Sequence, residues 1–114
     1  MKRIEVLIKP YQLDEVKRAL HAQGLLPGIT ATELSAYTRG VAERMLYRGT
    51  EQIVDLLPRM KLEIVAHDDL VNRIVAVLVR TVGTGRSDDG EIAIGPVSEA
   101  VRIRTGEIDE AAIS

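Results

Sequence analysis

The chain contains no cysteine, no tryptophan and no phenylalanine, and three tyrosines are its only aromatic residues apart from two histidines. Without cysteine there is no disulfide scaffold, no thiolate nucleophile and no Cys-ligated zinc, a composition that suits a reducing compartment. Strong positive charge is also missing: the formal net charge is −2 and the pI about 5.7. Nucleic-acid binding driven by phosphate neutralisation is therefore not expected, and three tyrosines make a poor stacking platform. No long hydrophobic run is present. The opening "MKRIEVLIKP" is basic, but its apolar stretch is short and broken by charge, so neither a secretory signal nor a membrane-spanning segment is expected. Direct membrane insertion is excluded on that basis, and a cytoplasmic location is expected. His21 and His67 lie 46 residues apart with no Cys or His companions, which gives no basis for a metal site.

What is present suits one soluble domain. A chain of 114 residues, 46% of them hydrophobic, can build a single core, so residues 1–114 are read as one unit. In "KRIEVLIK" the apolar Ile4, Val6 and Ile8 alternate with charged or exposed neighbours, the period of a strand with one face on the core. After Pro10, Leu13, Val16, Ala19 and Leu20 fall at helical spacing, with Gly24 placed for a left-handed C-terminal cap. "LPGITATELSAY" reads as a second strand after a Pro-Gly turn signal. A third strand is expected after Pro58, with Met60, Leu62 and Ile64 on its inner face. Asp68 or Asp69 can cap the following helix, whose apolar stripe runs through Leu70, Val71, Ile74, Val75, Leu78 and Val82. Gly83 and Gly85 end it, and "EIAIGPV" forms a short fourth strand.

"IEVLIKPYQLDEVKRAL" and "LEIVAHDDLVNRIVAVL" both run strand, polar link, helix, so the chain carries a duplicated unit. Two such units fold as an α+β ferredoxin-like βαββαβ sandwich: a four-stranded antiparallel sheet with both helices on one face. The other face carries Leu7, Leu34, Ala36 and Val65, and self-association is the simplest way to cover it.

Three segments fall outside the sandwich: a polar excursion over 37–57, a glycine-rich loop over 83–90 and a C-terminal segment over 96–114. If "VRIRTGE" is extended, Arg102 and Arg104 share a face and converge on one anion; the alternative is a solvated edge whose arginines pair with Glu99 or Glu107. "TGRSDDG" offers successive backbone N–H groups able to nest an anion with Arg86 added, or it is a plain turn. The acidic "EIDEAA" end reads as a mobile or weakly helical tail.

"KRIEVLIKPYQLDEVKRAL", "YRGTEQIVDLLPRMKLEIV" and "TGRSDDGEIAIGPVSEAVRIRTGE" together resemble the PII signal-transduction family, in order and spacing, over nearly the whole chain. The resemblance implies a homotrimer that binds adenine nucleotides in clefts between subunits and reports energy and nitrogen or carbon status to transporters and enzymes. It makes the excursion the loop that grips a target, with Tyr47, Arg48 and Gly49 at its reaching end. Carried over by position, Ile8, Ile64 and Val65 would supply apolar and backbone contacts to the adenine, and Thr30 a hydroxyl. Arg39, Arg86, Arg102 and Arg104 would neutralise phosphates, while Gly85, Asp89 and Gly90 would supply loop backbone.

Departures from the family pattern limit the analogy. Gln52 stands where uridylylated members carry Tyr, so that modification cannot occur there. Gly40 replaces the Gln that ligates Mg²⁺ beside ATP and 2-oxoglutarate, Arg59 replaces a Lys that meets the oxoglutarate, and Glu91 replaces a Lys that meets the phosphates. Ala36 and Thr38 replace two glycines at the pocket mouth. The expectation is a regulatory protein, not an enzyme, with no catalytic cofactor and no metal site. Its ligand would be ADP, AMP or ATP, with bicarbonate or another small anion as a further candidate, and 2-oxoglutarate sensing would be weak or absent. Its target would be a membrane transporter (ammonium, bicarbonate or cation) or an enzyme. The alternative is a small anion-binding enzyme of acylphosphatase type, for which the sequence offers no nucleophile and base at a suggestive spacing.

Overall fold

The computed structural model describes residues 1–25, 28–86 and 88–113, and of residues 44–47 the backbone only. Strand β1 (Lys2–Ile8) turns Ile4, Val6 and Ile8 inward, as its alternation requires. A single 3-10 turn, Pro10–Gln12, leads into helix α1 (Leu13–Ala22), which buries Val16 and Leu20. Gly24 (φ 66°) ends α1 in a Schellman arrangement: its N–H donates to the His21 carbonyl, and the Leu25 N–H donates to Leu20. The conformation is one that glycine adopts without a Cβ penalty, as the sequence indicates.

The sheet has the order β2-β5-β1-β6, with β2 at Thr30–Tyr37, β5 at Leu56–Ala66 and β6 at Ile92–Pro96, all neighbours antiparallel. Helix α2 (Asp68–Val82) packs with α1 on one face, where Val71, Ile74, Val77, Leu78 and Val82 meet Met60, Leu62, Ile64 and Ala66 of β5 and the inner residues of β1. This is the expected ferredoxin-like sandwich, with Leu7, Leu34, Ala36 and Val65 half-buried rather than covered on the opposite side.

Three local readings are corrected. First, the excursion 37–57 is not a loop throughout: β3 (Glu43–Tyr47) and β4 (Thr50–Val54) pair as a two-stranded ribbon, closed by Arg48 and Gly49. Both closing residues have positive φ, 51° and 78°, the primed turn that matches strand twist in a two-residue hairpin. Second, β5 starts at Leu56, before Pro58. Pro58 pairs with Ser35 of β2 but lies beyond the last β1 partner, Met60↔Ile8, so its missing N–H forfeits no ladder bond on that side. Third, the α2 N-cap is the extended His67, not Asp68 or Asp69. Those aspartates occupy the first turn, where they complement the helix dipole, and Asp68 accepts a 2.9 Å bond from the Met1 ammonium.

Gly83 closes α2 for a different reason from Gly24. Its φ is an ordinary −71°, but a Cβ there would lie 2.5 Å from the Val79 carbonyl oxygen, too close for any side chain. Gln12, buried among apolar neighbours, accepts from the Lys9 N–H at 2.9 Å and reaches the Val82 carbonyl at 3.5 Å. It thus satisfies its own amide while joining the start of one helix to the end of the other.

Candidate functional site

The polar segments gather around the sheet's open face and its ends. Residues directly opposite in antiparallel strands share a face, so Arg3, Glu5 and Leu7 of β1 stand beside Val65, Glu63 and Lys61 of β5, and Thr30 of β2 is the partner of Glu63. Glu63 is held by Arg3 at 3.7 Å and by Lys61 at 3.4 Å.

The expected ligand residues divide among three concavities. Thr30, Val65 and Arg102 line one of about 480 Å³, together with Arg3 and the end of the C-terminal segment at Ala112 and Ile113. Arg39 and Gly90 line another of about 750 Å³, floored by Leu7, Leu34 and Ala36. Arg86 lines a third, of about 180 Å³, between the glycine-rich loop and residues Gly40 to Glu43 at the start of the ribbon. Ile8 and Ile64 do not offer side chains to any ligand. Both point into the core, 2% and 1% exposed, because the period-two alternation that buries them is the same alternation that identified their strands. Only their backbone atoms remain for recognition.

The glycine-rich loop also differs from its expected form. Its nest is filled by the chain itself: the Asp89 carboxylate accepts from the N–H groups of Thr84 and Gly85, each at 2.9 Å, and from the Thr84 hydroxyl. The Thr84 hydroxyl first, then its backbone N–H, holds Asp89 below the ordinary carboxylate range. Asp89 is therefore a strut of the loop, and those two N–H groups are engaged. Gly85 and Gly90 take positive φ, 79° and 81°, and a Cβ on Gly90 would lie 3.8 Å from the Leu7 carbonyl oxygen near the end of β1, so it is the backbone conformation and not crowding that favours glycine there.

"VRIRTGE" is not extended. Val101 bridges to Ile108, the Arg102 N–H donates to the Glu107 carbonyl at 2.9 Å, and the Gly106 N–H donates to the Arg102 carbonyl at 2.7 Å. The segment doubles back in a tight turn, so the shared-face argument for Arg102 and Arg104 fails. Arg102 is partly buried with its Nε 3.9 Å from Glu107, and Arg104 is exposed on the turn. The "EIDEAA" end forms one 3-10 turn, Asp109–Ala111, tied to Ala100 by the Asp109 N–H at 2.8 Å.

Arg48 and Gly49 stand at the ribbon's tip; Tyr47 ends β3, its side chain outside the described atoms. His21 lies exposed in the last turn of α1, and His67 caps α2. Among the described residues no group of three His, Asp or Glu side chains is placed to hold a metal. Gly40, at the base of the ribbon, offers no side-chain oxygen to a hard cation, so the residues present do not fit the family's Mg²⁺ shell.

Sequence reasoning missed Asp88. It lies between the large concavity and the small one, with Oδ2 3.4 Å from Lys9 Nζ and Oδ1 shielded from solvent without a hydrogen-bond partner among the described residues. Two consecutive aspartates were the available signal: only one can turn into the nest, and the other must face elsewhere.

Residues 1–107 match the family model described as Nitrogen regulatory protein P-II. The chain is 50% identical over 107 residues to the nitrogen regulatory protein P-II of Azospirillum brasilense, covering 94% of this chain and 95% of that protein. It is 52% identical over 107 residues, with the same coverage, to the protein of that name from Bradyrhizobium diazoefficiens. With the nitrogen regulatory protein P-II 1 of Escherichia coli K12 it shares 46% identity over 113 residues, 99% of this chain and 100% of that one.

Proposed function

The chain belongs to the nitrogen regulatory protein P-II family, whose members are signalling proteins and not enzymes, and on that premise we propose that it is an adenine-nucleotide-sensing regulator that acts on a target through its ribbon. The observation that carries this reading is the ribbon itself. The radius of gyration is 16.7 Å, against about 13 Å for a compact chain of this length, and the longest extent is 56 Å against 26 and 22 Å. A hairpin that projects from the body and ends in a guanidinium suits insertion into, or clamping onto, another protein. At its root, the end opposite the charged tip, the register partners Tyr37 and Leu56 are 63% and 59% exposed, an apolar pair. Such a pair suits a protein surface, and the target class we propose is a membrane transporter or an enzyme.

The nucleotide site is proposed to be completed between copies in a homotrimer. Two observations support this. Thr30, Val65 and Arg102 line one concavity while Arg39 and Gly90 line another, so one chain alone does not bring the phosphate and adenine contacts together. The half-buried leucine, alanine and valine of the open face also need cover. Glu91 and Asp88 line the same concavity as Arg39 and oppose a long polyphosphate, so ADP or AMP is favoured over ATP. Gly40 supplies no metal ligand, so 2-oxoglutarate sensing through Mg²⁺-ATP is weak or absent.

A thermal-shift panel of AMP, ADP, ATP, bicarbonate and 2-oxoglutarate, with and without Mg²⁺, tests the reading. A nucleotide at a hundred times its Kd stabilises by about 2.7 kcal/mol, which moves the midpoint by several degrees. A protein that no nucleotide stabilises refutes the reading.

A further inference from the structure

The bonds to Asp89 all close within residues 84–89, so they stiffen the glycine-rich loop without fixing it to the body of the protein. The corner that follows β1 supplies that attachment. Pro10 opens the 3-10 turn Pro10–Gln12 with its φ fixed by the ring. Gln12 then clamps the backbone of Lys9 at both of its polar groups: the Gln12 N–H donates to the Lys9 carbonyl at 2.9 Å, and the Gln12 side-chain oxygen accepts from the Lys9 N–H at 2.9 Å. The Lys9 side chain therefore leaves from a fixed base. Its Nζ ends 3.4 Å from Asp88 Oδ2, on the far stretch of the loop. The other end of the Gln12 amide reaches the Val82 carbonyl at 3.5 Å, one residue before the loop begins. One corner thus holds the loop at its start and near its end.

Burial gives this attachment its strength. The side chains of Lys9 and Asp88 are 15% and 17% exposed, so their pair is less screened than one on the open surface. Asp88 Oδ1 is shielded from solvent and has no hydrogen-bond partner among the described residues, which leaves the carboxylate dependent on Lys9 for compensation of its charge. Gln12, buried, must satisfy its amide inside the protein, and it does so on Lys9 and Val82.

We propose that Lys9 and Gln12 are positioning residues for the nucleotide site: through Asp88 and Val82 they hold residues 83–86 and 88–90 against the end of β1, so that a phosphate meets a loop already in place. The inference rests on reading the chain as a nucleotide sensor, and it assigns to that site two residues that act on the loop and not on the ligand. A loop ordered in advance loses less freedom when the ligand binds. Asp88 is the informative position, because two effects oppose each other there. Removing its charge favours an approaching anion, whereas cutting its tie to Lys9 loosens the loop; in a positioning role the second prevails.

The test titrates ADP into the full chain by calorimetry and reads backbone order parameters of the ligand-free protein from NMR relaxation. Lys9→Met and Asp88→Asn are each expected to weaken ADP binding by about fivefold or more. Each should also lower the order parameters of Gly85, Asp89 and Gly90 from about 0.85 toward about 0.6, while those of Ile74 and Leu78 in α2 stay unchanged. The double variant should do no more than either single one, since all three lose the same bond. Lys9→Arg keeps the pair and should keep the parent affinity, and Gln12→Met should lower the same order parameters as Lys9→Met. Thermal midpoints show that each variant folds; Lys9→Met and Asp88→Asn cut one bond from opposite sides, so either decides the matter if the other fails to fold. Tighter ADP binding by Asp88→Asn overturns the proposal, as do unchanged order parameters in Lys9→Met. A loss in Lys9→Met that Asp88→Asn does not share also overturns it, because Lys9 would then be a direct ligand contact. If the parent protein binds no ADP, the nucleotide reading fails, and the order parameters still decide whether the corner holds the loop. If ADP binds the parent and both variants equally, only the positioning role falls.

Discussion

Glu5 and Glu63 stand directly opposite each other on β1 and β5, two carboxylates in register in the middle of the sheet's open face. Glu63 is held between Arg3 and Lys61, while Glu5 has no cation of its own among the described residues. Like charges facing across a strand pair cost about 0.2–1 kcal/mol. Glu5→Gln should therefore stabilise the isolated domain by about 0.5 kcal/mol, read from the urea midpoint at constant slope. A destabilised variant would show that Glu5 is paired in the assembled protein.

Asp89 holds the glycine-rich loop through three bonds, and its carboxyl lies below the ordinary range for that reason. A depressed carboxylate contributes stability that is present above its unfolded value of about 3.9 and is lost as the pH falls through the folded value. The loop should thus stay closed through neutral pH and open only in acid below that window. Asp89→Asn should open it at neutral pH, seen as faster amide exchange at Thr84 and Gly85; unchanged exchange at both would contradict the bracing role.

Arg102→Ala with Arg104→Ala should weaken nucleotide binding by a hundredfold or more, since each charge-assisted contact contributes about 1.5–3 kcal/mol. Calorimetry with ADP measures this directly. Because Arg102 also lies against Glu107, Glu107→Gln serves as the control that perturbs the turn and leaves both guanidinium groups in place. Equal losses in the control and the double variant would place the ligand elsewhere.

Leu34→Asp puts an unpaired charge on the half-buried open face and should cost several kcal/mol of assembly free energy. Light scattering should then report a monomer, against the trimer expected of the parent protein. A parent protein that is itself monomeric would remove the argument that neighbouring copies cover this face.

2-Oxoglutarate should bind the Mg²⁺-ATP complex at least tenfold more weakly than it binds ordinary family members, a difference of about 1.4 kcal/mol or more. Restoring the missing ligand by Gly40→Gln has its own cost. Gly40 has φ 79°, and although no atom lies within 4 Å of the position a Cβ would take, the left-handed backbone penalises a side chain by about 1–2 kcal/mol. A gain of oxoglutarate binding in the variant will therefore understate what the side chain contributes. Tight binding by the unaltered protein would overturn the expectation.

The sandwich was legible because both of its periods are strong. Ile4, Val6 and Ile8 alternate, and Val71, Ile74, Leu78 and Val82 recur at helical spacing, since each set has one core to face. The ribbon was not legible, because β3 and β4 pair with each other apart from the main sheet, and β4 has no buried residue to impose alternation. Its turn is closed by Arg48-Gly49, a weaker hairpin signal than Asn-Gly. The arginines were identifiable as residue types, but their arrangement was not: the fold-back of 102–106 depends on the Arg102 and Glu107 backbones meeting, which spacing does not encode. Asp88 and Asp89 are adjacent and chemically identical, and only the direction of the chain assigns one to the nest and the other to the concavity.

The pairing of β3 with β4 bears on how quickly a target is found. An unpaired segment of the same length would explore a volume, and each of its residues would lose about 1–2 kcal/mol of backbone freedom when a partner finally immobilised it. A hairpin already laddered from Glu43 to Val54 has given up that freedom during folding, and the ladder fixes the distance of its tip from its root. Encounter then becomes a question of aim more than of search, and the angle at Tyr37 and Leu56 sets the direction in which Arg48 is pointed.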